Sequence, residues 1–216
     1  MSREDARSYL ALGDSYTIGE GVEGGERWTS QLVMRLRALD VSVAFPRTVA
    51  TTGWTCEELE QAMDSARPPL EPGYDMVSLL IGVNDQYRQY DPAAYPGRFA
   101  RLLERAIALA DGHADRVLVL SIPDWGVTPF AAALEPPRDP AQIATELDQY
   151  NASAAGLAAE HGAHFVDCSD LSRAMCADPA NLAADALHPG APVYTAWADR
   201  ALPATLKIVG ANPAAP

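Results

Sequence analysis

Two short stretches at opposite ends of the chain hold the residue types that nucleophilic catalysis needs. Gly13-Asp14-Ser15-Tyr16 presents a hydroxyl at a turn, and Asp185-Ala186-Leu187-His188-Pro189 presents a carboxylate three residues before an imidazole. An acid at that spacing can accept the imidazole Nδ1 proton, which fixes the tautomer whose Nε2 is free to take a proton from a hydroxyl. Serine is a poor nucleophile at its free pKa, so Ser15 needs such a base, and His188 is the candidate. Two further stretches offer donors for the oxyanion that attack on a carbonyl would create. These are the Asn84 amide in Gly82-Val83-Asn84-Asp85 and the backbone N–H of Gly53 in Ala50-Thr51-Thr52-Gly53, where the missing side chain permits close approach. Taken singly, each stretch is also an ordinary turn or cap, since Asp, Ser, Asn and Gly all favour such positions.

The elements around these stretches give them a common location. β-type runs at Tyr9–Leu12, Val41–Ala50, Met76–Ile81, Val117–Ile122 and Ala163–Val166 alternate with helical patterns at Trp28–Leu39, Cys56–Ala66, Pro92–Ala110, Pro140–Glu160 and Pro192–Val209. The runs MVSLLIG and VLVLSIP are apolar on both faces, as parallel strands covered by helices must be. Five β-α units in series predict an open parallel sheet with its crevice beyond the carboxyl ends of the strands, where Ser15, Gly53 and Asn84 fall. Pro123 to Phe130 follows the fourth strand, so Trp125 and Phe130 either cap the core or wall the pocket. In the second case they restrict it to short acyl groups, because two prolines and a tight turn hold the rings in place. The rhythm predicts one domain over residues 1–209, with 210–216 (GANPAAP) a frayed tail.

With those residues in view, the chain resembles the SGNH, or GDSL-type, serine esterases and lipases. Counterparts of that family's four blocks occur in order as Gly13-Asp14-Ser15, Gly53, Gly82-Val83-Asn84-Asp85 and Asp185-Ala186-Leu187-His188. The resemblance implies an α/β protein with a three-layer α/β/α, flavodoxin-like arrangement around a five-stranded parallel sheet. It also implies ester hydrolysis through an acyl-enzyme on Ser15, with His188 as base, Asp185 orienting it, and an oxyanion hole from the Ser15 and Gly53 N–H groups and the Asn84 side chain. Tyr16 stands where the name-giving motif has Leu, a position assigned to packing more than to chemistry. No cofactor or metal is required, and the partner implied is a small-molecule ester. Transfer of the acyl group to another alcohol would use the same acyl-enzyme, and a catalytically silent binding protein on the same fold is the third reading.

Composition narrows the rest. A formal charge of −13 disfavours nucleic acid and anionic membrane surfaces as partners, and no apolar run is long enough for a membrane span. Three sparse cysteines, Cys56, Cys168 and Cys176, and an acidic segment at Met1 to Leu10 lead to the expectation of a cytoplasmic protein without an export signal. Gly19 to Gly24 spells GxGxxG, but it begins seven positions after Leu12, and no acid ends the second strand to hold a ribose, so a loop at the pocket edge is expected there. His161, His164 and Asp167 are expected at a helix end and on opposite faces of a strand, and Asn151-Ala152-Ser153 lies inside a helical pattern.

Overall fold

The computed structural model describes residues 6–210. Its five strands, β1 (Tyr9–Gly13), β2 (Arg47–Ala50), β3 (Met76–Leu80), β4 (Val117–Leu120) and β5 (His164–Val166), form one all-parallel sheet in the order β2-β1-β3-β4-β5. β3 and β4 are buried at every position, which accounts for their unbroken apolar sequences, whereas the edge strand β2 is half exposed. Helices cover both faces. α2 (Trp28–Ala38) packs against α9 (Ala191–Ile208), while α5 (Tyr95–Leu109) packs between α3 (Cys56–Ser65) and α7 (Pro140–His161). The open parallel sheet expected from the alternating pattern, and the three-layer arrangement implied by the resemblance, are the ones observed.

Local chemistry sets the helix boundaries. Thr55 and Glu58 form a reciprocal capping box at the start of α3, and α7 runs from the Asp139 cap with Pro140 in its first turn to Gly162, which adopts φ 80°. Two long elements are shorter than the sequence suggests. Val41–Pro46 is not strand. Val43 makes a lone parallel bridge to Arg7, and Pro46, with no N–H to give to a ladder, delays β2 to Arg47. The stretch from Pro92 divides into a 3₁₀ turn capped by Asp91 and the helix α5 beginning at Tyr95. The tail expected to fray lies, from residue 211 onward, outside the described residues.

Register brings the site together. Gly13 pairs in register with Ala50 on one side and Leu80 on the other, so the chain leaves β1, β2 and β3 at one level. Ser15, Gly53 and Asn84 follow within a few residues. At Gly13 a Cβ would collide with the Thr17 side chain and the Leu80 carbonyl, so only glycine lets the chain turn this tightly out of β1. At Gly82 (φ 124°) a Cβ would stand 2.6 Å from the Tyr95 ring, which excludes a side chain where β3 turns into the short helix α4 (Val83–Tyr87).

Candidate active site

Ser15 is the first residue of α1 (Ser15–Ile18), a single turn capped by Asp14, whose carboxylate accepts the Tyr16 N–H at 3.0 Å. A first-turn N–H has no acceptor within its own helix, so the Ser15 amide is free to face the crevice. Asp14 is fully buried. Desolvation pushes its pKa up to about 8, with Asp85 adding to the effect and the Tyr16 N–H opposing it. Tyr16 does more than fill space beside the serine. Its ring lies 5.5 Å from the His188 ring and 6.1 Å from Trp197, a brace under the imidazole that a Leu would supply without an aromatic face.

His188 is held in a turn that doubles back on itself. Leu182 and Pro189 form an antiparallel bridge, and the Ala183 N–H donates to the His188 carbonyl at 2.8 Å. Inside this turn Asp185 accepts the Leu187 and His188 backbone N–H groups at 3.0 Å each on Oδ1, and its Oδ2 lies 2.5 Å from His188 Nδ1. Partial burial works against ionisation of Asp185, but those hydrogen bonds together outweigh it and hold its carboxyl below the usual range. The turn places Ala186 at φ 58°, an uncommon conformation for a residue with a side chain, and the Ala186 carbonyl accepts the Phe130 N–H at 3.1 Å. With Nδ1 committed to Asp185, Nε2 is the nitrogen left for the cavity. No hydrogen bond joins Ser15 Oγ to the ring in this structure, although both residues line the same space. Contacts of this kind commonly tighten only once substrate is bound.

Asn84 and Gly53 are fixed as a pair. The Asn84 amide donates to the Trp54 carbonyl at 2.9 Å, which uses one of its two hydrogens, and the next residue, Asp85, accepts the Cys56 N–H at 2.9 Å. Two consecutive residues of α4 thus clamp the segment that follows Gly53. Gly53 itself adopts φ 86°, its carbonyl accepts from Arg88 at 2.6 Å, and its N–H has no acceptor among the described residues. Ser15, Gly53, Asn84, Trp125, Phe130 and His188 all line one cavity of about 170 Å³, closed further by Val83, Tyr87 and Leu187. The residues singled out in the sequence therefore converge, with Asp185 behind His188. Sequence reasoning did not single out Asp85 for the clamp, Tyr16 for the brace, or Tyr87 for the wall.

The remaining candidates lie elsewhere. The GxGxxG stretch is a loop at the rim, where the Thr52 hydroxyl donates to Glu20. His161 ends α7 with Nδ1 2.9 Å from the Leu157 carbonyl, and no three His, Cys, Asp or Glu side chains converge on a metal site among the described residues. Asn151 is buried, and its amide both receives the Ile122 N–H and donates to the Ile122 carbonyl. All three cysteines are buried and free. No helix among the described residues is long and apolar enough to cross a membrane.

Residues 11–196 match the model of the GDSL-like lipase/acylhydrolase family. Solved structures similar to this chain include TesA (TM-score 0.69, 18% identity, 94% of this chain and 99% of the other covered). The esterase EstA from Pseudoalteromonas sp. is similar at TM-score 0.70 and 15% identity, covering 94% of this chain and 99% of the other. An acetyl-xylooligosaccharide esterase, Axe2 from Geobacillus stearothermophilus, is similar at TM-score 0.62 and 22% identity over 95% of each chain. No curated protein sequence matches the chain.

Proposed function

From the premise that this chain belongs to the GDSL-like lipase/acylhydrolase family and is a carboxylic ester hydrolase, we propose that it acts through an acyl-enzyme on Ser15. His188 Nε2 takes the Ser15 proton as Oγ attacks the ester carbonyl, and Asp185 holds the ring and stabilises the imidazolium. The oxyanion receives the Ser15 and Gly53 N–H groups and the second Asn84 amide hydrogen. The protonated His188 gives its proton to the departing alcohol, and water attacking with the help of the same ring releases the acid. One observation carries this reading: the nucleophile, base and donors line a single cavity while the acid engages the far nitrogen of the base.

The acyl side of the substrate is short, from acetyl to butyryl. The cavity is small, and Trp125 (2% exposed) and Phe130 stand in its wall. A methylene that fits contributes about 0.8 kcal/mol of burial, whereas one that strikes a fixed wall forfeits this and adds strain. The likeness to an acetyl-xylooligosaccharide esterase is in keeping with an acetyl group.

Replacing the nucleophile is the direct test. Ser15→Ala is expected to fold as the parent does and to lose p-nitrophenyl acetate turnover by about 10⁴-fold or more, together with the initial burst of nitrophenol. His188→Ala should lose a similar amount. Activity in Ser15→Ala within about tenfold of the parent would falsify the assignment.

A further inference from the structure

Trp125 stands in the wall of the cavity that contains Ser15 and His188, and its surroundings explain how the ring is fixed there. Gln86 and Arg138, which hold that ring, also line a second, polar cavity of about 300 Å³ together with Glu146 and Tyr150 among others. The indole is held along its edge and over its face. Its Nε1–H donates to Gln86 Oε1 at 2.9 Å, the Arg138 guanidinium stands 5.1 Å from the ring centroid, and Tyr87 meets it edge-on at 5.3 Å. Gln86 is only 2% exposed and is itself fixed, since its Nε2 donates to Glu146 Oε2 at 2.6 Å. Arg138 donates to the same Glu146 oxygen at 3.3 Å and to the Tyr87 carbonyl at 3.2 Å. Residues of α4 and of the loop before α7 thus hold the indole directly, and Glu146 of α7 fixes both Gln86 and Arg138.

We propose that Gln86, Glu146 and Arg138 set the acyl-length limit of this enzyme by locking Trp125 in place, although none of the three touches the acyl group. The proposal rests on the reading of the first cavity as the acyl pocket. A buried indole has one donor and loses much if that donor is left unpaired, so the orientation that reaches Gln86 is strongly favoured over one that leaves it without a partner. Gln suits position 86 because its amide accepts from the indole with one end and gives to the Glu146 carboxylate with the other. A methionine there would fill similar volume and leave the ring free to turn, widening the acyl pocket that it walls. The three residues are therefore positioning residues for specificity.

The experiment measures kcat/KM for p-nitrophenyl acetate, butyrate, hexanoate and octanoate in the parent and four variants. Gln86→Met is expected to raise the octanoate-to-acetate ratio by roughly tenfold, the value of one to two further buried methylenes at about fourfold each. Arg138→Met should move it in the same direction, and the two variants back each other should one fail to fold. The swap Gln86→Glu with Glu146→Gln again provides an acceptor for the indole and a donor to that acceptor, and should return the ratio to the parental value. A parental ratio in Gln86→Met and Arg138→Met, with a shifted ratio in Trp125→Ala, overturns the lock and leaves the pocket reading intact. A broadened Gln86→Met that the swap does not restore also overturns it, because loss of packing then suffices. An unchanged profile in Trp125→Ala removes the pocket reading itself.

Discussion

Asn84 has two amide hydrogens, and the structure assigns only one of them, to the Trp54 carbonyl. On the proposed mechanism the other meets charge that develops after attack, so its effect would belong to the transition state and not to the bound ester. Asn84→Ala should lower kcat for p-nitrophenyl acetate by about 10²- to 10³-fold with KM little changed. A raised KM with kcat preserved would make Asn84 a substrate-positioning residue instead. Asp14, beside Ser15, gives a second expectation at this scale. The folded protein keeps its proton up to about pH 8, while the unfolded chain releases it near 3.8. Between those values the native state binds more protons than the unfolded state, so this group makes stability fall as pH rises, and its effect levels off above about 8. Asp185, held below the ordinary value, acts the other way: its stabilising contribution is present at neutral pH and is lost only in acid, outside that window. Asp14→Asn copies the protonated carboxyl and should gain on the parent as pH rises, which urea midpoints at pH 4.5 and pH 8 would reveal. An equal gap at both values would show that Asp14 does not titrate across this interval.

A helix of five residues, α4, carries a disproportionate share of the site: Asn84, the proposed oxyanion donor, Asp85 for the clamp, Gln86 and Tyr87 against Trp125. Asp85 is fully buried, takes the Cys56 N–H, and lies 3.6 Å from Arg98. Asp85→Ala should cost about 2–3 kcal/mol, the range for losing a hydrogen bond to a charged group and leaving its buried partner unsatisfied. It should also lower kcat by freeing the Gly53 segment. Asp85→Asn, which keeps an acceptor, should lose less of both, and thermal melts together with turnover would check the order. The sequence made the frame legible because β3 and β4 are apolar throughout and the long helices carry periodicity and caps. It also singled out Ser15, Asn84, Asp185 and His188 as candidates, because the chemistry proposed for them is local. Helices of one or two turns such as α1, α4 and α6 (Pro129–Ala132) are too short for a periodic pattern and were not foreseen. The contacts of Gln86 and Asp85 were hidden for a different reason. Their partners Glu146 and Cys56 are distant along the chain, and only the fold brings them near.

For the molecule as a whole, the net charge of −13 should raise the KM of an ester bearing an anionic alcohol above that of its neutral analogue at low ionic strength. Added salt should narrow the difference, and one that salt leaves untouched would assign it to local contacts in the pocket. Position along the chain matters as much as charge. Ser15 leaves the first strand, whereas Asp185 and His188 arrive just before α9, and α9 packs against α2 from the first β-α unit. A ribosome working from one end therefore releases Ser15, the proposed nucleophile, long before His188, its proposed base, and α2 lacks its α9 partner until synthesis is nearly over. Until the last helix emerges, the growing chain is therefore expected to be inert toward esters and prone to self-association. Premature termination near residue 190 should leave an insoluble fragment rather than a feeble enzyme.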